Sequence, residues 1–241
     1  QLNYMDAARI ALRQDHLMRA IQLEPATGLA HAILADLLSW KLMNGVAADA
    51  DADSRVMYDE AQTALQLAPN DPHVLLSVGM TYSRVGQYDR GLALMRRSLM
   101  LAPTVRAKDE LARSLCFAGQ PDEAIGLFKE ILQTMPAGHT FPYGRLAVAL
   151  TQAGRLPEGL QYSADAVVHF PDDYYGWLVH ANLLAQLDRQ SDARQALAQA
   201  LRLVPKLQLE LVIARTEALY GRNPEQRGRL TAGLRSLVGA S

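Results

Sequence analysis

Apolar residues recur along this chain at the three- and four-residue spacing of helices that bury one face. The periodic runs are cut at six prolines: Pro25, Pro69, Pro103, Pro136, Pro171 and Pro205. The steps between them are 44, 34, 33, 35 and 34 residues. The residues leading into each proline repeat as well, reading AIQLEP, ALQLAP, SLMLAP, ILQTMP, VVHFP and ALRLVP. Each is an apolar-periodic helix end, closed by a residue that lacks a backbone N–H and disfavours helix in the residue before it. Seventeen residues before the last four prolines stand Gly86, Gly119, Gly154 and Asp188, inside the short turns RVGQYD, FAGQPD, QAGRLP and QLDRQS. Glycine just past a helix end suits the left-handed cap. The pattern predicts helix, tight turn, helix and proline stop, restarted about every 34 residues.

Small residues occupy fixed places within this period. Gly79, Ala112, Ala147 and Ala181 lie seven residues before the turn position, and Gly91, Ala124, Gly159 and Ala193 lie twelve before the closing proline. Helices of a hairpin approach closely only where the crossing side chains are small. Larger residues flank them: Val78, Leu111 and Leu146 on one side, Tyr82, Leu115, Leu150 and Leu184 on the other. His180 stands where the other repeats have Leu or Val, which marks it as a core histidine.

These residues resemble the tetratricopeptide repeat family. One unit carries Gly79, Tyr82, Gly86, Tyr88 and Pro103; another carries Trp177, Ala181, Ala193, Ala200 and Pro205. The resemblance implies an all-α fold, a right-handed superhelix (α-solenoid) of antiparallel helix pairs with about 12–13 helices. The expected layout is a leading helix or half repeat over 1–27, five repeats over 28–205 (28–71, 72–104, 105–139, 140–173 and 174–205), and capping helices over 206–241. The 44-residue step places an acidic insertion at 44–55, and Met57 replaces the small residue there. In the tail, Leu207 to Tyr220 is expected to cover the last hairpin and Pro224 to Leu237 to form one basic amphipathic helix. The layout is also similar to the carboxy-terminal repeat region of bacterial class III adenylate cyclases and some winged-helix transcription regulators. That similarity implies an effector domain upstream of Gln1.

Composition narrows the function. The 24 basic and 25 acidic residues leave a net charge of −1, which argues against nucleic acid as a partner. No run of 18 apolar residues occurs, so membrane insertion is not expected. The single cysteine, Cys116, excludes an internal disulfide framework and fits a reducing, cytoplasmic setting. Asp49, Asp51, Asp53 and Glu60 have the spacing of a calcium loop, but Ser54 stands where that loop needs glycine. Acidic residues at a helix start are also explained by capping and the helix dipole. No HExxH, CxxC pair, phosphate loop or nucleophile elbow is present, and no enzyme, metal site or cofactor is expected.

In the family that the chain resembles, the first helix of each pair lines a concave groove. The groove positions implied here include Met80, Arg84, Arg113, Phe117, Phe141, Arg145, Val148, Tyr175 and Asn182, with Gln152 and Gln186 beside them. The Lys/Asn cluster with which some relatives hold a carboxy-terminal peptide is replaced by Leu76, Met80, Asp109 and Arg113. The expected function is a protein–protein interaction scaffold in the regulatory part of a larger bacterial signalling or transcription protein. Its partner would be a protein or peptide, with a homodimer as a further candidate. The alternative is an effector-sensing domain that binds a small molecule or peptide in the groove.

Overall fold

The computed structural model describes residues 7–134, 142–220 and 223–238. Among them are fourteen α-helices and no strand. In order they are α1 (Ala7–Leu23), α2 (Gly28–Met43), α3 (Ala50–Leu67), α4 (Pro72–Arg84), α5 (Tyr88–Leu101), α6 (Val105–Phe117) and α7 (Pro121–Thr134). After these come α8 (Pro142–Gln152), α9 (Leu156–His169), α10 (Tyr174–Gln186), α11 (Gln190–Leu203), α12 (Leu209–Leu219), α13 (Pro224–Arg229) and α14 (Ala232–Val238). The chain divides into two compact units, with the boundary between Ser114 and Leu115.

The hairpin turns are built alike. Gly86, Gly119 and Gly154 have φ of 82°, 78° and 80°, and Asp188 has φ of 58°. Around each, the N–H one residue further on returns to a carbonyl five residues back: Gln87 to Tyr82 (2.8 Å), Gln120 to Leu115 (2.9 Å), Arg155 to Leu150 (2.8 Å) and Arg189 to Leu184 (3.0 Å). The left-handed residue itself donates three residues back, to Ser83, Cys116, Thr151 and Ala185. This double bond is the Schellman cap, which satisfies the last carbonyls of a helix and reverses the chain.

The first repeat uses the same device at a place the sequence pattern hid. Gly45 has φ of 65°, Gly45 N–H donates to Leu42 O and Val46 N–H to Lys41 O. Most of the additional length therefore comes after the turn, the rest lengthening α2 to 16 residues against 13 in α4. The part after the turn is spent on a link over 46–49 and on α3, which has 18 residues against 14 in α5. Residues 50–55, expected within an insertion, are the first turns of α3. The acidic run serves that helix: the Asp49 carboxylate caps it by accepting from Ala52 N–H at 2.9 Å, Asp53 pairs with Lys41 at 2.7 Å, and Glu60 bonds His31.

In the N-terminal unit, Ala32, Leu34, Ala35 and Leu38 of α2 meet Met57, Ala61 and Ala64 of α3 and Val74, Val78 and Tyr82 of α4 in one apolar core. In the C-terminal unit, Leu178, Ala181, Leu184 and Ala185 of α10 and Ala193, Ala196 and Ala200 of α11 form a core that also takes in Leu209, Ile213, Leu234 and Leu237. The tail differs from expectation. The single helix anticipated over 224–237 is two short ones, α13 and α14, broken at Leu230 and Thr231.

At the α4–α5 crossing the small residues are required by contact. A Cβ at Gly91 would lie 2.4 Å from Ser83 Oγ and 2.6 Å from the Gly79 carbonyl oxygen. At Gly126, on the exposed side of α7, a Cβ would meet nothing within 4 Å. Helix propensity alone predicts that alanine stabilises both positions, by roughly 0.8–1.0 kcal/mol each. The contacts separate them. In urea unfolding, Gly126→Ala should gain about that amount, whereas Gly91→Ala should lose roughly 1–3 kcal/mol to overpacking. Equal gains at both positions would mean that the α4–α5 crossing is looser than described.

Candidate functional site

The site is in the C-terminal unit, on the face presented by α8 and α10. Asn182 lies in the C-terminal half of α10 and is 2% exposed. Its side-chain amide enters the break between α13 and α14. Asn182 Oδ1 accepts from Gly233 N–H (2.9 Å) and Leu234 N–H (3.3 Å), while Asn182 Nδ2 donates to Arg229 O (3.2 Å). In an uninterrupted helix, Gly233 N–H would itself bond Arg229 O. The Asn182 amide thus takes up the Gly233 N–H and the Arg229 carbonyl that would otherwise bond each other, as a side chain inserted in the ladder does at a kink.

Neighbouring polar groups complete the arrangement. Gln186, one turn along α10, donates from Nε2 to the same Arg229 carbonyl at 2.7 Å. The Arg229 side chain returns to α8, where Nη1 donates to Gln152 O at 3.1 Å. Gln152 Nε2 donates to Cys116 O (2.8 Å) and Gln226 Oε1 (3.3 Å). Close approach depends on Gly233: a Cβ there would stand 2.1 Å from Asn182 O, closer than any side chain permits. Around this polar centre, Leu230 shares an apolar cluster with Ala147, Val148, Val179 and Leu183, and Tyr220 meets Phe117 edge-on with centroids 5.1 Å apart. Glu217 of α12 holds the outer side. It accepts from Thr231 Oγ (2.7 Å) and from Arg235 (2.7 Å), and the Arg235 bond, then that of Thr231, keeps its carboxyl below the usual range.

These helix pairs have solved counterparts. The chain superposes on YrrB, described as a TPR protein with an unusual peptide-binding site, with a TM-score of 0.54 and 16% identity over 83% of this chain and 97% of that one. The fold is that of tetratricopeptide-repeat proteins. MamA structures agree with it: one from AMB-1 gives a TM-score of 0.53 and 25% identity over 62% of this chain and 93% of that one. Another, from MSR-1, gives 0.53 and 23% over 81% and 98%. No protein-family model and no curated protein matches the sequence.

On this tetratricopeptide framework, the groove positions read from the sequence divide into several groups. Phe117, Val148 and Asn182 are buried in the C-terminal unit, where Asn182 and Val148 meet the tail segment and Phe117 meets Tyr220. Tyr175 is exposed and Arg145 is half-buried. In the N-terminal unit, Met80 is buried. Arg84 is committed to α2, through the Asp36 carboxylate and, at 3.3 Å, Ser39 Oγ; Arg113 lies 3.3 Å from Glu110 on its own helix. Phe141 lies outside the described residues. The sequence reading missed Gly233 and Arg229, whose roles depend on Asn182 about fifty positions earlier; two glycines in a short tail helix (Gly228, Gly233) were the available sign.

His180, expected in the core, is half-buried, with its ring bonded to Ser163 of α9. Ser163 Oγ lies 2.8 Å from its Nδ1 and 3.0 Å from Leu160 O. Burial holds its pKa below the ordinary 6.5, the Arg189 charge adds to the lowering, and Asp192 opposes it. The folded state therefore favours neutral imidazole. The associated stability is present above the ordinary value and is lost as pH falls through it toward the depressed one. Between about pH 7.5 and about pH 5.5 the wild-type urea midpoint should drop more than that of His180→Leu, and parallel shifts would refute this assignment.

Proposed function

We propose that the chain is a non-catalytic protein–protein interaction scaffold that holds a peptide or short helix of its partner on the face made by the first helices of its pairs. The observation that carries this reading is that α10 already holds a peptide segment, the chain's own, by bonds from Asn182 and Gln186 to the backbone of Arg229, Gly233 and Leu234. Amide side chains that bond backbone groups are a general means of peptide capture on a rigid helical frame. The likeness to YrrB, a peptide-binding protein of the same fold, supports it.

The wider setting is inferred from the sequence layout. The scaffold is the regulatory C-terminal part of a larger bacterial signalling or transcription protein acting in the cytoplasm, without contact to nucleic acid through this chain. No helix among the described residues is long and apolar enough to cross a membrane. Small-molecule sensing is less well supported at this face. The cavity between Val148, Leu178, Asn182, Val212 and Leu234 holds about 20 Å³, room for a single water, whereas organic ligands occupy hundreds.

The N-terminal unit provides the test. His73 and Arg106 are exposed on first helices α4 and α6, and Arg97 is exposed on second helix α5. Partners captured by the chain should be lost with His73→Glu plus Arg106→Glu and retained with Arg97→Glu. A double variant that stays folded and keeps every partner would sink the first-helix face as the binding surface.

A further inference from the structure

The contacts of the tail divide into two kinds. Helix α12 places Leu209 and Ile213 in the core beside Ala193, Ala196 and Ala200, as a terminal cap does. Helices α13 and α14 combine apolar burial, since Leu234 and Leu237 of α14 join that same core, with hydrogen bonds from α10 to their main chain. They have 6 and 7 residues, α13 buries no residue, and both lie far below the length at which a helix is stable alone. Their order therefore depends on the face that receives them. That face contacts their main chain: four of the bonds from Asn182 and Gln186 end on backbone atoms of Arg229, Gly233 and Leu234. The fit is also incomplete. Gln152 is 1% exposed, and its Oε1 has no hydrogen-bond partner beneath the tail.

We propose that Asn182 and Gln186 form a backbone-reading peptide site, with Gln152 beside them meeting the side chains of Gln226 and Arg229, that residues 223–238 occupy it in cis, and that a partner binds by displacing them. The occupant shows the chemistry the site takes. The ligand is a short helical segment with a break of the α13–α14 kind, a glycine at the place of Gly233 so that its backbone reaches Asn182, and a leucine after it to enter the pocket of Leu234. A basic residue four positions before the glycine, where Arg229 stands, reaches the Gln152 carbonyl. A side chain that donates a hydrogen bond in place of Gln226 would also satisfy Gln152 Oε1. The site selects against helices without that glycine, because a Cβ at this position meets backbone rather than a movable side chain.

This inference rests on the scaffold reading above, and it is tested apart from it, in the C-terminal unit and with a defined probe. Two measurements decide it. In the wild-type chain, hydrogen exchange at the Gly233 and Leu234 amides should be at least about tenfold faster than in α10 and α11, because a replaceable segment opens without global unfolding. Exchange at the same slow rate as α10 would make the tail a permanent cap and overturn the proposal, whatever the variants do. The second measurement uses a fluorescent synthetic peptide of residues 223–238. The Gly233→Leu chain, whose own tail cannot dock, should bind this peptide at least about tenfold more tightly than wild type, since the tethered competitor is gone. Adding Asn182→Ala should abolish that binding, and a peptide carrying the Gly233→Leu change should not bind. A folded Gly233→Leu chain that ignores the wild-type peptide overturns the proposal while leaving the first-helix test in the N-terminal unit unaffected. If Gly233→Leu does not fold, the tail is integral and the proposal fails on that result too.

Discussion

Every helix pair here depends on one constraint: two helices must reverse direction within a few residues and then lie close enough to share a core. The left-handed residue of the Schellman turn makes the reversal, and a small residue at the crossing permits the approach. In the α4–α5 hairpin both are visible together. Gly86 turns the chain, and Gly79 and Gly91 let the backbones come so near that a Cβ on Gly91 would meet the Gly79 carbonyl at 2.6 Å. Glycine weakens each helix slightly by propensity. The approach it permits brings Met95 and Tyr82 to full burial, and burying one such side chain contributes about 1.5–3 kcal/mol. The balance favours the crossing, which explains why a poor helix former occupies a helix interior.

The same constraint recurs, in altered form, at the tail. Gly233 allows another close approach, now between a short helix and α10 rather than between partners of a hairpin. Here the contact is polar. The Asn182 amide supplies both an acceptor and a donor and so substitutes for the backbone bond that it interrupts. A buried amide must find partners for both ends or cost free energy, and a helix break must find partners for its freed N–H and C=O. Each need meets the other. This reciprocity explains why the break falls where it does, opposite Asn182, although Gly228 and Thr231 also weaken the helix locally.

Much of the fold is legible in the sequence because repetition multiplies weak signals. A lone glycine says little, but Gly86, Gly119, Gly154 and the substitute Asp188 at one offset from four prolines indicate one turn made four times, and all four have positive φ. Gly45 is hidden because it lies seven residues too early relative to Pro69; the longer link and the longer α3 separate the turn from the proline that would mark it. The groove positions are recognisable as a face through their helical spacing. Their burial is not. Whether Phe117, Val148 and Asn182 are open depends on where Tyr220 and residues 223–238 lie, and for Asn182 that involves hydrogen bonds across about fifty residues of sequence that no local pattern carries.

On the proposed reading, tethering determines how the site would respond. A segment joined to its own binding face by a short connection competes at an effective concentration on the order of millimolar. Weak intrinsic affinity of α13 and α14 is then sufficient to keep the face covered, and it is also what would allow release. A partner offering the same backbone pattern, with a donor for Gln152 Oε1, needs only a modestly better fit to compete at high local concentration. A tail bound as firmly as the hairpin cores would close the site permanently. The tail combines burial of Leu234 and Leu237 in the α10–α11 core with backbone-directed hydrogen bonds and one buried acceptor left unused, so a replacing segment must supply the same leucines as well as the same backbone pattern.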